Sequence, residues 1–166
     1  MATAYLNTPL GVAQIEGDQH GISSVSVKDH MQIPNKDIPE ELEDAIYQLE
    51  EYFNGSRKQF DLPLNPKGTD FQKKVWKELS QIPYGKSISY LDLSKKIGDP
   101  KAIRAVAAAN GKNPLWIIVP CHRVIGSNGD LVGYAGGLER KKWLLNHESA
   151  SKQQSLFPVE QTKRFL

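Results

Sequence analysis

The 166-residue sequence has very little cysteine: a single residue, Cys121. One cysteine excludes a disulfide within the chain, and it also excludes zinc sites built from several cysteines. The four histidines stand at positions 20, 30, 122 and 147, without the close spacing of a metal-binding motif. We therefore expect no bound metal. The usual interpretation of a lone cysteine is a small buried apolar residue.

Long apolar runs are also missing. No run approaches the roughly 20 residues that a membrane helix needs. The first residues, Met1–Tyr5, do not form the basic segment and apolar stretch of a secretory signal. Hydrophobic residues make up 39% and charged residues 24% of the chain, as in water-soluble domains. We expect a cytoplasmic protein without membrane attachment.

The charges are divided unevenly along the chain. Residues 1–62 carry 4 basic and 11 acidic residues, a net charge of −7, whereas residues 63–166 carry 17 and 8, a net charge of +9. Such an asymmetry suggests that the C-terminal part binds a polyanion such as nucleic acid. An ordinary, moderately basic surface would give the same count.

Residues 1–62 predict a small α/β lobe in which strands precede a helix. Three strand-like segments lie around residues 4–6, 12–15 and 22–27, and glycines separate them. A helix is predicted from about Pro39 to Phe53, ending at Asn54-Gly55. Its apolar residues recur at helical spacing: Leu42, Ala45, Ile46, Leu49, Tyr52 and Phe53. We interpret this lobe as structural, and residues 63–68, with two prolines and a glycine, as a linker.

The second lobe, residues 69–148, is predicted to be mostly helical. Thr69 and Gln72 form a capping box before a helix that buries an apolar face containing Phe71, Val75, Trp76 and Leu79. Ser89 can cap a short helix over residues 90–97, and a turn at Gly98 leads to a further helix that Pro100 begins. Two short helices joined in this way suit a helix-turn-helix, and equally an ordinary helical hairpin.

The second helix of this pair, residues 101–110, is unusually rich in alanine. A helix that reads the major groove normally offers several long polar side chains, whereas this one offers chiefly Arg104. Small residues permit a close approach to a narrow groove, where one long side chain can insert between bases. The alternative is a buried alanine-rich helix whose Arg104 merely reaches solvent.

Cys121 stands in the strongest chemical motif of the chain. It follows an apolar segment, residues 115–119, that predicts a buried strand, and it precedes His122 and Arg123. Nearby cations lower the pKa of a thiol, and a histidine can take its proton through a water molecule. His147 and Glu148, near the end of a last helix predicted over about residues 138–148, are candidates to orient the imidazole. A Cys-His-acid arrangement also suits a hydrolase.

The motif Pro120-Cys121-His122-Arg123-Val124 resembles the acceptor motif of the O6-alkylguanine-DNA alkyltransferases. The similarity extends over residues 83–148, with matching blocks in order: Pro83-Tyr84-Gly85, Ser89-Tyr90, Arg104-Ala105-Val106, Asn113-Pro114, Gly133–Gly137 and Trp143–Glu148. It implies an α+β fold with a ribonuclease-H-like N-terminal lobe and a mostly helical C-terminal lobe that contains a helix-turn-helix.

The resemblance also implies a role for each matching residue. Cys121 would accept the alkyl group, His122 would deprotonate it through water, and Glu148 would hold the histidine. Asn113 would brace the neighbouring turn, and Tyr90 would face a DNA phosphate and assist proton transfer to the base. The residues expected on the DNA side are Lys101, Arg104, Ala105, Ala109, Arg123 and Lys141, with Tyr90. The base pocket would be lined by Val119, Val124, Tyr134 and Ala135. Trp116 departs from the family, where this position is often smaller, and it either fills core or narrows the approach to the pocket.

The implied function is direct-reversal DNA repair in a single turnover, with O6-alkylguanine in duplex DNA as the substrate and O4-alkylthymine as a further candidate. The damaged nucleotide would be flipped out of the helix, Arg104 would fill its place, and neither a cofactor nor a metal would be needed. We expect a monomer. Two alternatives stay open: a multiple-turnover cysteine hydrolase using Cys121, His122 and Glu148, and a non-catalytic DNA-binding sensor of alkylation.

The tail, residues 149–166, is predicted to be polar and loose. Within it, Gln153-Gln154-Ser155-Leu156-Phe157 resembles the peptide by which bacterial repair proteins bind the replication sliding clamp. Alternatively, Leu156 and Phe157 fold back onto the domain as a core patch.

Overall fold

A computed structural model describes residues 1–29, 37–127, 129, 134 and 137–156, with side chains up to residue 149. It confirms the predicted α+β class, a small N-terminal sheet and helix followed by a mostly helical lobe. Within the described part of the chain, no helix combines the length and the apolar character needed to cross a membrane.

The N-terminal sheet is a three-stranded antiparallel meander. Its strands are β1 (Ala2–Thr8), β2 (Gly11–Asp18) and β3 (Gly21–Lys28), in the spatial order β1-β2-β3. All three predicted strands are confirmed, and each is longer than its apolar pattern. Gly21, at φ 134°, begins β3 where a side chain would collide with the Pro63 carbonyl, so the strand can lie against the linker only with glycine here.

One helix covers a face of this sheet. A 3₁₀ turn (Glu40–Leu42) leads into α1 (Glu43–Asn54), and Gly55 ends the helix in the left-handed conformation. The predicted apolar stripe faces inward: Leu42, Ala45, Ile46, Leu49 and Tyr52 are buried, and Phe53 packs at its edge.

The predicted linker, residues 63–68, is hydrogen-bonded to the N-terminal sheet. The amide of Ile22 donates to the Pro63 carbonyl at 2.9 Å, and the amide of Asn65 donates to the Ile22 carbonyl at 2.8 Å. These two hydrogen bonds fasten the connecting segment to β3. The division into lobes at residues 63–68 itself remains a prediction.

The second lobe begins with α2 (Asp70–Leu79), which starts at the predicted capping box of Thr69 and Gln72. The helix buries Val75, Trp76 and Leu79, but Phe71 is 37% exposed, so its predicted burial is wrong. Phe71 lies in the first turn of α2, beyond the edge of the core. Trp76 ties α2 to the alanine-rich helix, because its indole nitrogen donates to the Ala109 carbonyl at 2.8 Å.

The helix-turn-helix is present, and its cap and turn residues are the predicted ones. The Ser89 hydroxyl accepts from the Asp92 amide at 3.0 Å and caps α3 (Tyr90–Ile97). Gly98, at φ 108°, ends α3. A 3₁₀ turn (Pro100–Ala102) then leads into α4 (Ile103–Gly111). The short strands β4 (Ile88–Ser89) and β5 (Val124–Ile125) pair in parallel beside it.

The predicted strand over residues 115–119 is wrong. Leu115 makes one isolated bridge to Val25, and the chain then turns, with Ile117 at a positive φ of 71°. The turn is buried all the same, because the Asn113 side chain satisfies its backbone: Nδ2 donates to the Val119 carbonyl at 2.8 Å, and Oδ1 accepts from the Leu115 amide at 2.9 Å. This side chain supplies hydrogen bonds that a sheet would otherwise have given.

The last helix is longer than predicted. Helix α5 runs from Leu138 to Leu156, so residues 149–156 are helical rather than loose. The segment contains good helix formers such as Ala150, Lys152 and Gln153, and no glycine or proline interrupts it before Pro158. The clamp-like peptide therefore begins within a helix, while Phe157 lies outside the described residues.

Candidate active site and DNA-binding surface

Cys121 opens a short 3₁₀ helix (Cys121–Arg123) that follows the buried turn at residues 115–119. Its amide donates to the Val119 carbonyl at 2.8 Å, and only 7% of the residue is exposed. The predicted position at the end of a strand is therefore replaced by the start of a tight turn. Such a turn places Cys121, His122 and Arg123 around one axis instead of on opposite faces of a strand.

His122 is buried completely and is oriented by Glu148. Its Nε2 lies 2.7 Å from Glu148 Oε2. An ionised carboxylate can only accept, so Nε2 carries the proton and Nδ1 keeps its lone pair. Among the residues that the structure describes, no protein group hydrogen-bonds Nδ1. The imidazole therefore has the tautomer of a general base, held from behind by a carboxylate.

Glu148 is the centre of a buried network of donors. Arg123 binds it through both ends of the guanidinium, with Nε 2.9 Å from Oε1 and Nη2 3.0 Å from Oε2. Tyr52, from helix α1, donates its hydroxyl to Oε2 at 2.6 Å. Burial alone would raise the pKa of Glu148, but the hydrogen bonds and charges of His122 and Arg123 outweigh it and hold that pKa well below the usual range.

Arg123 has its partners inside the protein. The residue is only 7% exposed, and its remaining nitrogen, Nη1, donates to the Ile82 carbonyl at 2.7 Å. The DNA contact of Arg123 therefore stays a prediction. Its position beside Glu148, 25 residues away in sequence, makes it the counter-charge of that buried carboxylate.

Lys141 is a second cation that was predicted to contact DNA and that is buried in the structure. It has no exposed surface, and its ammonium donates to the Val124 carbonyl at 2.6 Å. The same ammonium lies 6.0 Å from the centre of the Tyr90 ring and 5.9 Å from that of Tyr134. Lys141 thus turns inward toward the cysteine and its surrounding rings, and its DNA contact stays a prediction.

The pKa shifts of Cys121 and His122 keep the proton on the thiol in the free protein. Burial raises the pKa of the Cys121 thiol, against the lowering effects of the Asn113 side chain and the Lys141 charge. Burial lowers the pKa of His122, against the raising effect of Glu148. Both groups are therefore neutral at rest. A neutral imidazole can accept the thiol proton, and the thiolate then forms beside a cation.

Tyr90 and Asn110 lie on the other side of the cysteine. Tyr90 begins α3 and is mostly buried, and its pKa is raised by burial and by the neighbouring Cys121. The Asn110 amide nitrogen lies 3.4 Å from the Tyr90 hydroxyl and 3.5 Å from the Cys121 carbonyl. Sequence analysis missed Asn110, whose signal was a polar residue in an otherwise apolar helix face.

Of the expected pocket residues, Tyr134 lies beside the Cys121 thiol. Val119, Val124 and Trp116 are buried, and Tyr134 is partly buried. Within the described part of the chain, the buried Trp116 indole nitrogen and Tyr134 hydroxyl make no hydrogen bond of ordinary geometry, although Tyr134 interacts with Trp116 and with the Cys121 thiol. Buried polar atoms of this kind are suited to a bound ligand. Ala135 lies outside the described residues.

Helix α4 presents a narrow exposed face. Arg104, Ala105 and Ala108 are exposed, whereas Val106 and Ala109 are buried. The Ala109 carbonyl accepts from Trp76 of α2, and its DNA contact stays a prediction. Lys101, in the turn before α4, is exposed as predicted. One arginine among alanines thus stands on the outer surface of the helix-turn-helix.

Sequence profiles of known families cover both lobes. A profile described as 6-O-methylguanine DNA methyltransferase, ribonuclease-like domain, matches residues 1–66. A second, described as 6-O-methylguanine DNA methyltransferase, DNA binding domain, matches residues 70–150.

Individual proteins are similar over most of their length. A methylated-DNA–protein-cysteine methyltransferase of Methanosarcina acetivorans is 46% identical over 155 residues, covering 90% of this chain and 99% of that protein. The constitutive enzyme of that name from Bacillus subtilis is 53% identical over 129 residues, covering 77% and 74%. A crystal structure of Mycobacterium tuberculosis OGT in complex with DNA superposes with a TM-score of 0.83 at 40% identity, covering 91% and 94%.

Proposed function

Because the chain belongs to the methylated-DNA–protein-cysteine methyltransferase family, which repairs DNA directly by alkyl transfer to a cysteine, we propose that Cys121 is its acceptor. The observation that carries this proposal is that the only cysteine of the chain lies next to a histidine held by a buried carboxylate. The family assignment also favours transfer over the two alternatives, a cysteine hydrolase and a sensor without chemistry.

The reaction then follows from the protonation states of the site. His122 takes the thiol proton through a water molecule at Nδ1, and Glu148 stabilises the imidazolium that results. The Cys121 thiolate attacks the alkyl carbon, so the C–S bond forms as the C–O6 bond breaks and its electron pair passes to the guanine. The base recovers a proton through the hydroxyl of Tyr90. The product is a thioether, a poor leaving group, so each protein molecule acts once.

The pocket proposed for the flipped base lies between the buried turn and Tyr134. Val119 and Val124 offer apolar walls, and Tyr134 and Trp116 offer buried polar atoms that make no hydrogen bond of ordinary geometry among the described residues. Asn113 holds the turn on which Val119 stands. Trp116 also fills space between the lobes, where its ring lies 6.2 Å from that of Phe53. Ala135 stays a proposed pocket residue on sequence grounds alone.

The DNA surface that we propose is the exposed face of the helix-turn-helix. It consists of Lys101, Arg104 and Ala105, with Tyr90 at its inner end. The small side chains let α4 approach the duplex closely, and Arg104 reaches into the stack after the damaged nucleotide leaves it. Extrusion of a base costs a few kcal/mol, and a side chain in the vacated space recovers part of that cost.

Intact mass tests the proposal directly. After incubation with duplex DNA that contains O6-methylguanine, we expect a gain of about 14 Da, one methyl group, located on Cys121. Transfer stops at one methyl per protein, and the Cys121→Ser variant gains none while it still binds DNA. Methyl loss from DNA over many turnovers without a mass gain would indicate the hydrolase, and methylation of another residue would refute Cys121 as the acceptor.

The remaining partner assignments are proposals from the sequence. We propose that the protein acts as a monomer, because Cys121, His122, Glu148 and Tyr90 all come from one chain. A location in the cytoplasm, with the nucleoid when bound to DNA, fits a substrate carried by the chromosome. O4-alkylthymine remains a candidate second substrate.

Binding to a replication sliding clamp through Gln153–Phe157 is also proposed from the sequence alone. A clamp pocket would take Leu156 and Phe157, so the end of α5 must unwind to present them. We expect the free peptide of residues 152–158 to bind a bacterial clamp with micromolar affinity, and Leu156→Ala with Phe157→Ala to remove that binding without slowing methyl transfer. A peptide that does not bind refutes the assignment.

A further inference from the structure

The N-terminal lobe reaches into the catalytic network through Tyr52. The Tyr52 hydroxyl donates to Glu148 Oε2 at 2.6 Å, and His122 Nε2 donates to the same oxygen at 2.7 Å. We propose that Tyr52 is a positioning residue for alkyl transfer, which fixes the Glu148 carboxylate against His122. This inference rests on the proposed function and extends it, since it gives a part in catalysis to a lobe that the sequence indicated to be purely structural.

Tyr52 is held at two points relative to Glu148. Its backbone carbonyl accepts a hydrogen bond of 2.7 Å from His147 Nε2, and its hydroxyl binds the carboxylate of the next residue, Glu148. The ring has no exposed surface and lies 5.7 Å from Phe60 and 6.2 Å from Tyr84, centre to centre. The hydroxyl therefore has little freedom to leave Glu148, and packing holds it in place whether or not the hydrogen bond contributes to stability.

The position of this contact on the carboxylate gives it a chemical consequence. Oε2 receives Tyr52, His122 and one nitrogen of Arg123, whereas Oε1 receives the other Arg123 nitrogen and, at 3.4 Å, the Gly85 amide. Without the Tyr52 hydroxyl, Oε2 keeps only His122 and one Arg123 nitrogen as donors, so its position against the imidazole is less firmly fixed. The negative charge of the carboxylate is then shared among fewer donors and attracts the imidazole proton more strongly.

The loss of this hydroxyl should thus both misplace the histidine and raise its pKa. The charged and titratable groups that face the His122–Glu148 pair are Arg123 and Cys121 from the 3₁₀ helix, Lys141 and His147 from α5, and Tyr84 from the loop after α2. None of them changes in a Tyr52→Phe variant. A shift in the pH dependence of transfer therefore reports the hydrogen bond itself.

The test compares single-turnover methyl transfer from duplex DNA in the full-length wild type, Tyr52→Phe and Leu49→Val, each from about pH 5 to 9. Leu49 is fully buried on the same helix, and its aliphatic side chain cannot hydrogen-bond the carboxylate. Its truncation to valine therefore controls for lost stability. Urea unfolding measures that loss in all three proteins.

We expect Tyr52→Phe to react roughly tenfold more slowly at neutral pH, a common scale for removing a group that orients a catalytic side chain. Because His122 must be neutral to act, a raised pKa should also move the acid limb of its rate profile to higher pH. Leu49→Val should lose stability with neither change.

Failure of the proposed function and failure of the Tyr52 role give different results. A wild type that gains no methyl on Cys121 refutes the proposed function. A wild type that is methylated, together with a Tyr52→Phe variant that keeps the wild-type rate and acid limb, refutes only the role of Tyr52. A Tyr52→Phe variant that is slower without any shift of its acid limb shows that Tyr52 is merely structural and likewise overturns the inference.

Discussion

Replacement of Glu148 by glutamine is expected to destabilise the protein by roughly 3–5 kcal/mol, as usually happens when one partner of a buried ion pair is removed. The carboxylate is 1% exposed and accepts two hydrogen bonds from Arg123 and one each from His122 and Tyr52. Glutamine keeps the shape but removes the charge, and its amide group is a donor facing other donors. Arg123 is then left as an uncompensated buried cation.

The same substitution should slow methyl transfer at least about 100-fold, since general-base catalysis commonly contributes that much or more. Without the carboxylate, neither the tautomer of His122 nor its imidazolium is stabilised. Urea unfolding and single-turnover kinetics measure the two effects separately. If transfer slows while unfolding is unchanged, the carboxylate has a catalytic role without the structural one claimed for it.

A matched control is available in the N-terminal lobe. Glu51 and Arg57 form an ion pair of 2.8 Å whose side chains are 23% and 25% exposed. Because the pair is partly in solvent, Glu51→Gln should cost less than about 1 kcal/mol and leave transfer unchanged. Equal unfolding energies for Glu51→Gln and Glu148→Gln would contradict the account of a buried, indispensable carboxylate.

Acid should reproduce part of the Glu148→Gln effect in the wild type. The folded pKa of Glu148 is depressed, so its stabilisation is present above the unfolded pKa of roughly 4.3 and is lost as pH falls toward the folded value. The folded pKa of His122 is also depressed, so protonation of the unfolded chain already erodes stability below roughly pH 6.5. The Glu148→Gln variant should not show the loss of stability that begins near the unfolded pKa of Glu148.

The elements that could be predicted from the sequence are those with local signals. Ser89, Gly98 and Pro100 specify the boundaries of α3 and the turn to α4, because each acts on the backbone within a few residues. The apolar stripe of α1 and the three strands were likewise recognisable from periodicity alone. These are short-range effects, and tertiary packing did not override them.

Long-range pairing could not be predicted in the same way. Arg123 and Lys141 look like surface cations in a basic lobe, and only the fold shows that they face Glu148 and the Val124 carbonyl. Tyr52 matches a core stripe, and nothing local indicates a partner 96 residues away. The apolar run at 115–119 predicted a strand because burial alone does not distinguish a strand from a turn whose backbone is satisfied by Asn113.

Catalytic roles for Cys121, His122 and Glu148 came from a resemblance, not from periodicity. The geometry adds the physical reason that the resemblance lacks: a tautomer set by Glu148, a neutral thiol, and a cation ready for the thiolate. Because Glu148 lies 26 residues after His122, the motifs can name both residues but cannot show that their side chains meet.

Replacement of Arg104 by alanine is expected to slow methyl transfer from duplex DNA by roughly 100-fold, yet to change transfer from free O6-methylguanine base by less than about threefold. Arg104 is exposed on α4 among small residues and lies outside the buried Cys121 network. Its proposed task is to occupy the stack after the damaged base leaves. In a duplex, this insertion should stabilise the flipped state by a few kcal/mol, and each 1.4 kcal/mol changes a rate about tenfold. A free base needs no flipping, so its transfer gains nothing from Arg104.

The control for lost charge is Lys101→Ala, which removes one exposed cation from the turn before α4 without removing a side chain that could insert between bases. It should weaken duplex binding and make that binding less dependent on salt, as the loss of a phosphate contact does. At saturating DNA, its transfer rate should stay near that of the wild type. Arg104→Ala should remain slow under the same conditions, because saturation restores binding but not the flipped state. Equal losses on duplex and free base, or recovery of Arg104→Ala at saturating DNA, would reduce Arg104 to an ordinary phosphate contact.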